Sequence, residues 1–410
     1  MTEGQTPEGS RNGWKSLGLV QREVLLVCVL GVVAVLLFGA TENLADWTER
    51  TSSAQSAAWF ERGQAYLLAE RNAEGIDALR NAVAGDRLNP TYTLALARAL
   101  IEHGRDVPDA EQLRDEAQQL LSGLRERQPD VAEVNLYLAR LAVEERDEYD
   151  RHEEFIEEVT RYYNHAMYGL APEDPQFNRY RIRVELATFL LDEGDRTAAL
   201  AELIALAREV PDELLARLEV AGLFLQAEEP QQALTQYSFA NAIDQTSRAA
   251  AVGAGRAAFA LAQFRTAEQH LEFALGLGPA DEDVTRLLEI TRLVRASDPQ
   301  AQGLLTAERV RRLRAGLDWA AGRLAGCAAP PEPAAEGEEP TEVPDDPLVV
   351  ELREFAEQPA AILREANTQT DGIDVISRAL AEIRSRCQGQ DPDPMDEAWR
   401  AIERARPSAP

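Results

Sequence analysis

The side chains able to do covalent, proton-transfer or metal chemistry are few and dispersed. There are three cysteines, Cys28, Cys327 and Cys387, and four histidines, His103, His152, His165 and His270. No two cysteines form a C-x-x-C, and no Cys/His cluster has zinc-ligand spacing. Each histidine lies in a different segment, without the neighbouring nucleophile or carboxylate that a general base needs. The chain has no G-x-S-x-G, no H-E-x-x-H and no glycine-rich phosphate loop. The run Asp391-Pro392-Asp393-Pro394-Met395-Asp396 spaces three carboxylates in a faintly calcium-like way. Its prolines and missing glycine make it a poor ligand loop, so it reads as a solvated acidic tail. No enzyme is expected, and no cofactor or metal is implied.

One covalent reaction stays open. Cys327 and Cys387 each end a predicted helix, on either side of an acidic, proline-rich stretch. In an oxidising compartment a disulfide between them would close a long loop, worth on the order of 4 kcal/mol in chain-entropy terms. In a reducing compartment they are free thiols. Cys28 lies inside an apolar run that continues past it and lacks the small residues of a lipoprotein box, so it reads as an apolar helix cysteine.

The elements that would position these groups are helical. Hydrophobic residues make up 45% of the 410, but aromatics only 6%. That bias towards alanine and leucine suits closely packed helices better than sheets. With 71 acidic against 42 basic residues the formal net charge is −29. An acidic surface cannot release counterions from a phosphate backbone, which disfavours nucleic acid as a partner.

Residues 24–41, VLLVCVLGVVAVLLFGAT, carry no charge and with their flanks are long enough to span a bilayer. A cleaved signal peptide is the rival reading, but the leader is long and only Phe38-Gly39-Ala40 resembles a cleavage site. Arg11, Lys15 and Arg22 precede the run, while Glu42, Asp46 and Glu49 follow it. The positive-inside rule then puts residues 1–23 in the cytoplasm and the bulk of the chain across the membrane. In a bacterium this is a single-pass inner-membrane protein with a periplasmic body.

The body repeats itself. Leu186-Ala187-x2-Leu190, then Ala199-x3-Leu203-x2-Leu206 and Pro211, recurs as Val220-Ala221-x2-Phe224 with Ala233-x3-Tyr237-x2-Ala240. It recurs again as Gly255-x2-Ala258 with Ala267-x3-Leu271-x2-Ala274 and Pro279, each copy a step of 34 residues from the last. Small residues let two helices of a hairpin approach, bulkier ones fill the gap to the next hairpin, and the prolines stop the second helix. One hairpin cannot bury its apolar face alone, so hairpins must stack. Three earlier units are less regular. They are marked by Gly63, Gly75 and Pro90; by Ala97, Ala117 and Pro129; and by Ala139 with Tyr163-x2-Ala166.

These residues resemble the tetratricopeptide repeat family over about 56–280. The resemblance implies an α-solenoid of about six repeats whose first helices line a concave, protein-binding face. Its fifth positions are Phe60, Leu94, Leu136, Val184, Leu218 and Val252; its twelfth are Leu67, Ile101, Val143, Leu191, Leu225 and Phe259. All are apolar, and among the ninth positions Arg98, Arg140 and Arg256 stand between the rows. The implied groove has apolar walls and basic centres, suited to an extended or helical segment bearing acidic groups. The alternatives are that these rows only pack against neighbouring helices, or that the chain's own C-terminal part fills the groove.

Beyond the repeats, 281–327 reads as capping helices, 328–347 (AAPPEPAAEGEEPTEVPDDP) as a flexible acidic linker, and 348–410 as a small helical segment. The whole is expected to be all-α: one N-terminal transmembrane helix, a tetratricopeptide-like solenoid and a small C-terminal helical region. The expected role is a membrane-anchored protein-binding scaffold or assembly factor of the cell envelope. The alternative is a permanent structural accessory subunit of a membrane complex.

Overall fold

The computed structural model describes residues 19–103, 110–146, 151–170, 179–279, 281–327, 346–387 and 393–406. Within the first helix it describes side chains at 24–36, at 38 and from 52 onward. Every regular element among these residues is a helix. The chain divides into two compact units, 1–177 and 178–410, and the stretch expected as a solenoid, 56–280, runs through both. The boundary falls between residues 177 and 178, outside the described residues.

Unit 1 contains α1 (Leu19–Leu68), α2 (Asn72–Gly85), α3 (Pro90–His103), α4 (Ala110–Arg127), α5 (Ala132–Glu144) and α6 (His152–Tyr168). Its core is built by Leu79, Leu96, Leu100, Leu121, Val134 and Leu141. Within the helices the buried residues fall three or four apart, as in Ile76/Leu79, Leu96/Leu100, Leu121/Leu124 and Val134/Leu138/Leu141, so each helix turns one apolar stripe inward.

Unit 2 begins with three hairpins: α7 (Arg179–Asp192) with α8 (Arg196–Glu209), α9 (Leu214–Gln226) with α10 (Pro230–Ile243), and α11 (Arg248–Ala260) with α12 (Phe264–Gly276). The small residues of the repeat, Ala187, Ala199, Ala221, Ala233 and Ala267, are completely buried. A Cβ on Gly255 would fall within 2.7 Å of the Leu271 side chain, which is why that hairpin has no side chain there. Helix starts are capped by side chains: Asp195 accepts from the Ala198 N–H and Ser247 from the Ala250 N–H.

The repeat is also written in the backbone. Gly194, Glu228 and Ala262, one repeat apart, all have positive φ, at 81°, 55° and 57°. At two of them the hairpin turn is a Schellman motif. Glu229 N–H reaches Phe224 O at 2.8 Å and Gln263 N–H reaches Ala258 O at 2.9 Å, closing six-residue rings. Only Gly194 announces this turn in the sequence; glutamate and alanine occupy the left-handed conformation at a cost of roughly 1–2 kcal/mol each.

The solenoid is closed by α13 (Glu282–Ser297), α14 (Thr306–Gly326), α15 (Pro347–Glu357), α16 (Ala366–Arg386) and α17 (Pro394–Ala405). Leu313, Leu317, Leu352, Ile376, Leu380 and Trp399 share one core with Ile290 and Val294 of α13. Helix α15 stops at Glu357, because Pro359 pushes Gln358 into an extended conformation (ψ 145°). Most of the linker expected over 328–347 lies outside the described residues. Its last two residues instead start α15: Asp346 accepts from the Leu348 N–H and Pro347 opens the first turn. The Cys327 and Cys387 sulfurs are bonded, with Cα atoms 5.3 Å apart, joining the C-terminal ends of α14 and α16.

Among the described residues no helix is long and apolar enough to cross a membrane. In α1 the apolar run is described without a break over residues 24–36. The transmembrane helix expected over 24–41 is therefore not met within the described side chains; positions 37 and 39–41 lie outside them.

Two outcomes follow. Ala262→Gly relieves the left-handed strain and raises stability by up to about 1 kcal/mol, after the extra chain entropy that glycine brings to the unfolded state; an unchanged or lower denaturation midpoint contradicts the turn assignment. Reducing the disulfide, or Cys387→Ser, lowers the stability of α14–α17 by up to about 4 kcal/mol. Hydrogen exchange reads this as faster exchange in those helices while α7–α10 keep their protection, and identical exchange with and without reductant contradicts it.

Candidate functional site: an apolar cleft in unit 1

A cleft of about 500 Å³ opens between the first helices of unit 1. From α1 it takes Phe60 and Gln64, one turn apart, and from α3 it takes Pro90, Thr91, Leu94, Ala95 and Arg98. Residues 91, 94, 95 and 98 share one face of α3 by helical period, which is why a single helix supplies both wall and charge. Leu124 from the last turn of α4 and Gln128 just beyond it, with Val131, Glu133 and Val134, complete the floor. Phe60 and Tyr92 pack ring against ring with centroids 4.9 Å apart, fixing the angle between α1 and α3 at the rim.

One wall is not a repeat feature. After α6 the chain turns through Gly169 and pairs Leu170 with Val131 in an isolated parallel bridge. Leu170 N–H donates to Asp130 O at 2.6 Å, and Ala132 N–H donates to Leu170 O at 3.0 Å. A Cβ on Gly169 would collide with the carbonyl oxygens of Asp130 and His165, so only glycine allows this approach. The Leu170 side chain lines the cleft while remaining largely exposed.

The electrostatics are close to balanced. The Arg98 guanidinium stands 3.9 Å from the Glu133 carboxylate, and both are partly exposed. Such a pair contributes at most about 1 kcal/mol and opens readily to a competing ligand. Deeper, the Tyr137 hydroxyl donates to Glu102 at 3.1 Å, and burial pushes its phenol well above the ordinary range. The cleft therefore offers apolar walls, one exchangeable ion pair and the side-chain amides of Gln64 and Gln128.

Six of the twelve apolar positions expected along the groove lie in unit 1 with Arg98 and Arg140, and the other six lie in unit 2 with Arg256. Leu94 and Arg98 line the cleft with Phe60. Leu136 is buried, and Arg140 lies over the Tyr137 ring at 5.5 Å, outside the cleft lining. In unit 2, Val184 belongs to the core and Leu191, Leu218 and Leu225 pack against it. Val252 packs on the Leu271–Val284 cluster. Phe259 meets Phe264 edge to face at 5.4 Å and leans on the C-terminal core. Arg256 is exposed on α11. The unit 2 row is thus largely spent on cohesion between hairpins. The C-terminal helices α15–α17 pack on α13 and α14 through the shared core of that end.

Sequence reasoning missed Thr91, Leu124, Gln128, Val131 and Leu170. Only the Gly169-Leu170 pair after a long helix carried a signal for them. A second cavity of about 230 Å³ lies among α13, α14 and α17, beside Ser297, Arg312, Trp319, Met395 and Trp399. Its Arg312 is occupied by Glu308 at 2.8 Å and by the Arg295 and Asp298 carbonyls at 2.8 and 3.1 Å. In the acidic run, Asp393 caps α17 and Asp396, 2% exposed, pairs with Arg323 at 3.1 Å. Asp391 lies outside the described residues. Two of the carboxylates read as a solvated tail are structural.

No family model matches the chain and no curated protein matches it. Solved structures similar to it include the C-terminal part of a TPR repeat-containing protein from Cytophaga hutchinsonii, 11% identical, covering 62% of this chain and 93% of that one with a TM-score of 0.44. Another is YrrB, described as a TPR protein with an unusual peptide-binding site, 15% identical over 51% of this chain and 97% of that one, TM-score 0.39. A third is pilF of Pseudomonas aeruginosa, 16% identical over 57% and 97%, TM-score 0.39. The class the coordinates define is an all-α solenoid of stacked helix hairpins.

Proposed function

We propose that this chain is a protein-binding scaffold, attached to a membrane through α1, that recognises an apolar segment of a partner protein in the cleft of unit 1. The observation that carries the reading is the cleft itself: preformed, apolar-walled, and equipped with polar groups that orient a backbone rather than transform it. The Arg98–Glu133 pair accommodates either a carboxylate or an amine, so the partner segment need not be acidic. Helix pairing and groove binding both exploit such surfaces.

Attachment rests on the exposed run of α1. From Val24 to Phe38 the large apolar side chains described are 44–71% exposed on all sides of one uninterrupted helix that continues into the solenoid as far as Leu68. An all-round apolar helix needs lipid or protein around it. The flanking charges favour a bacterial inner membrane with the N-terminus cytoplasmic and the bulk periplasmic. A bonded Cys327–Cys387 pair fits that oxidising side.

Two measurements test this. In full-length protein, Leu94→Asp puts an unpaired charge in the cleft wall; the variant keeps its circular dichroism but loses the proteins that co-purify with the wild type at matched expression. An unchanged partner set rejects the cleft as the binding site. Carbonate-washed membranes retain the full chain, and removal of residues 24–41 releases it; retention of the shortened chain rejects α1 as the attachment.

A further inference from the structure

The cleft of unit 1 lies at one end of its helices. It is lined by Pro90 and Thr91 where α3 starts, Leu124 where α4 ends, Val131 just before α5 and Leu170 just after α6. Successive helices alternate in direction. The Ser52 hydroxyl of α1 donates to Gly85 O at the end of α2 at 2.8 Å, and the connection 86–89 turns α3 back beside α2. Helices α3 and α5 run the same way: Arg98 faces Glu133, and one turn on in both, Glu102 faces Tyr137. Val131 before α5 bridges Leu170 after α6. The cleft therefore opens at the end of unit 1 from which the N-terminal part of α1 departs.

That departure is short and stiff. Helix α1 is a single helix from Leu19 to Leu68 and contains no proline. Its uncharged run ends at Thr41, and among the described side chains Ser52 is where α1 is first tied to the rest of the unit. The helix rises about 16 Å between those two residues, and about 28 Å from Thr41 to Phe60 in the cleft wall. Three large apolar side chains stand exposed at the same end: Leu88 in the turn before α3, Tyr168 at the end of α6, and Leu170, which are 79%, 66% and 73% exposed. Leu68 and Val143, also exposed, mark the opposite end.

Position selects the occupant. A segment rising from the bilayer beside α1 reaches these apolar side chains and then the cleft mouth, whereas a partner free in solution must enter the narrow space between the unit and the membrane. The lipid surface is a poorer fit: the stiff helix holds the cleft end off it, and anionic headgroups repel a chain of net charge −29. A cleft of about 500 Å³ also covers too little of a partner for tight binding on its own. Confinement of the partner to the same bilayer makes up the difference by raising its effective concentration. We propose that the cleft takes the membrane-proximal segment of an integral membrane protein, an apolar stretch lying within about 30 Å of the bilayer surface. This inference rests on the cleft and attachment readings given under the proposed function.

Photo-crosslinking in native membranes tests it, with p-benzoylphenylalanine in place of Leu88 in the full-length chain. The expected product joins the chain to a second protein that itself resists carbonate extraction, and Leu94→Asp removes that product. If Leu94→Asp loses its circular dichroism, Thr91→Trp takes its place, filling the cleft mouth from an exposed position. Lengthening α1 by 18 helical residues between Asp46 and Trp47, a rise of about 27 Å, lowers the yield roughly tenfold or more, because the cleft is lifted out of the segment's reach. A product with a soluble protein, a lipid adduct alone, no product, or a yield unchanged by the longer helix overturns the proposal. The cleft reading fails with it only if the cleft variants leave the product unaltered, and the attachment reading only if carbonate strips the chain from the membrane.

Discussion

Close approach between the two helices of each hairpin is the constraint on which the rest depends. Alanines at 187, 199, 221, 233 and 267 are wholly buried, and glycine stands at 255 where a side chain would strike Leu271. With so little side chain between them, the helices gain dispersion contacts along their length. Each hairpin still leaves an apolar face that only a neighbouring hairpin can cover. Stacking is therefore compulsory, and it must stop at something polar outside and apolar inside. The five C-terminal helices supply that stop, with Trp399 at the centre of their core.

The same constraint explains how much of the fold could be read from the sequence. Residues 180–280 are legible because small residues at a fixed step are demanded by packing and cannot drift. The left-handed turns at Glu228 and Ala262 are invisible, since neither residue advertises positive φ. Between 129 and 179 the repeat is obscured by an insertion, and the bridge of Leu170 to Val131 depends on long-range pairing that no local period encodes. The family resemblance marks groove positions on six helices alike. Phe60, Gln64, Leu94 and Arg98 line the cleft in unit 1, whereas in unit 2 Val184, Leu191, Leu218 and Leu225 are absorbed by the packing of hairpins.

Function divides along the same line. Unit 1 carries the open apolar cleft and is continuous through α1 with the exposed apolar run, whereas unit 2 carries a closed core and a disulfide-linked cap. The cleft has apolar walls and the Arg98–Glu133 pair, and is bounded by Leu170 on one side and the Phe60–Tyr92 stack on another.

The most direct test of the central claim is to remove one repeat and measure cooperative unfolding. Excising residues 213–246, a full step that joins Asp212 to the Ser247 cap, keeps every small residue facing its counterpart. Excising a segment seven residues shorter, 213–239, throws the hairpins out of register. The account predicts native-like helicity and one sharp thermal transition for the first, and a broad, weakened transition for the second. Equal behaviour of the two would contradict the claim that registered close packing of hairpins builds this molecule.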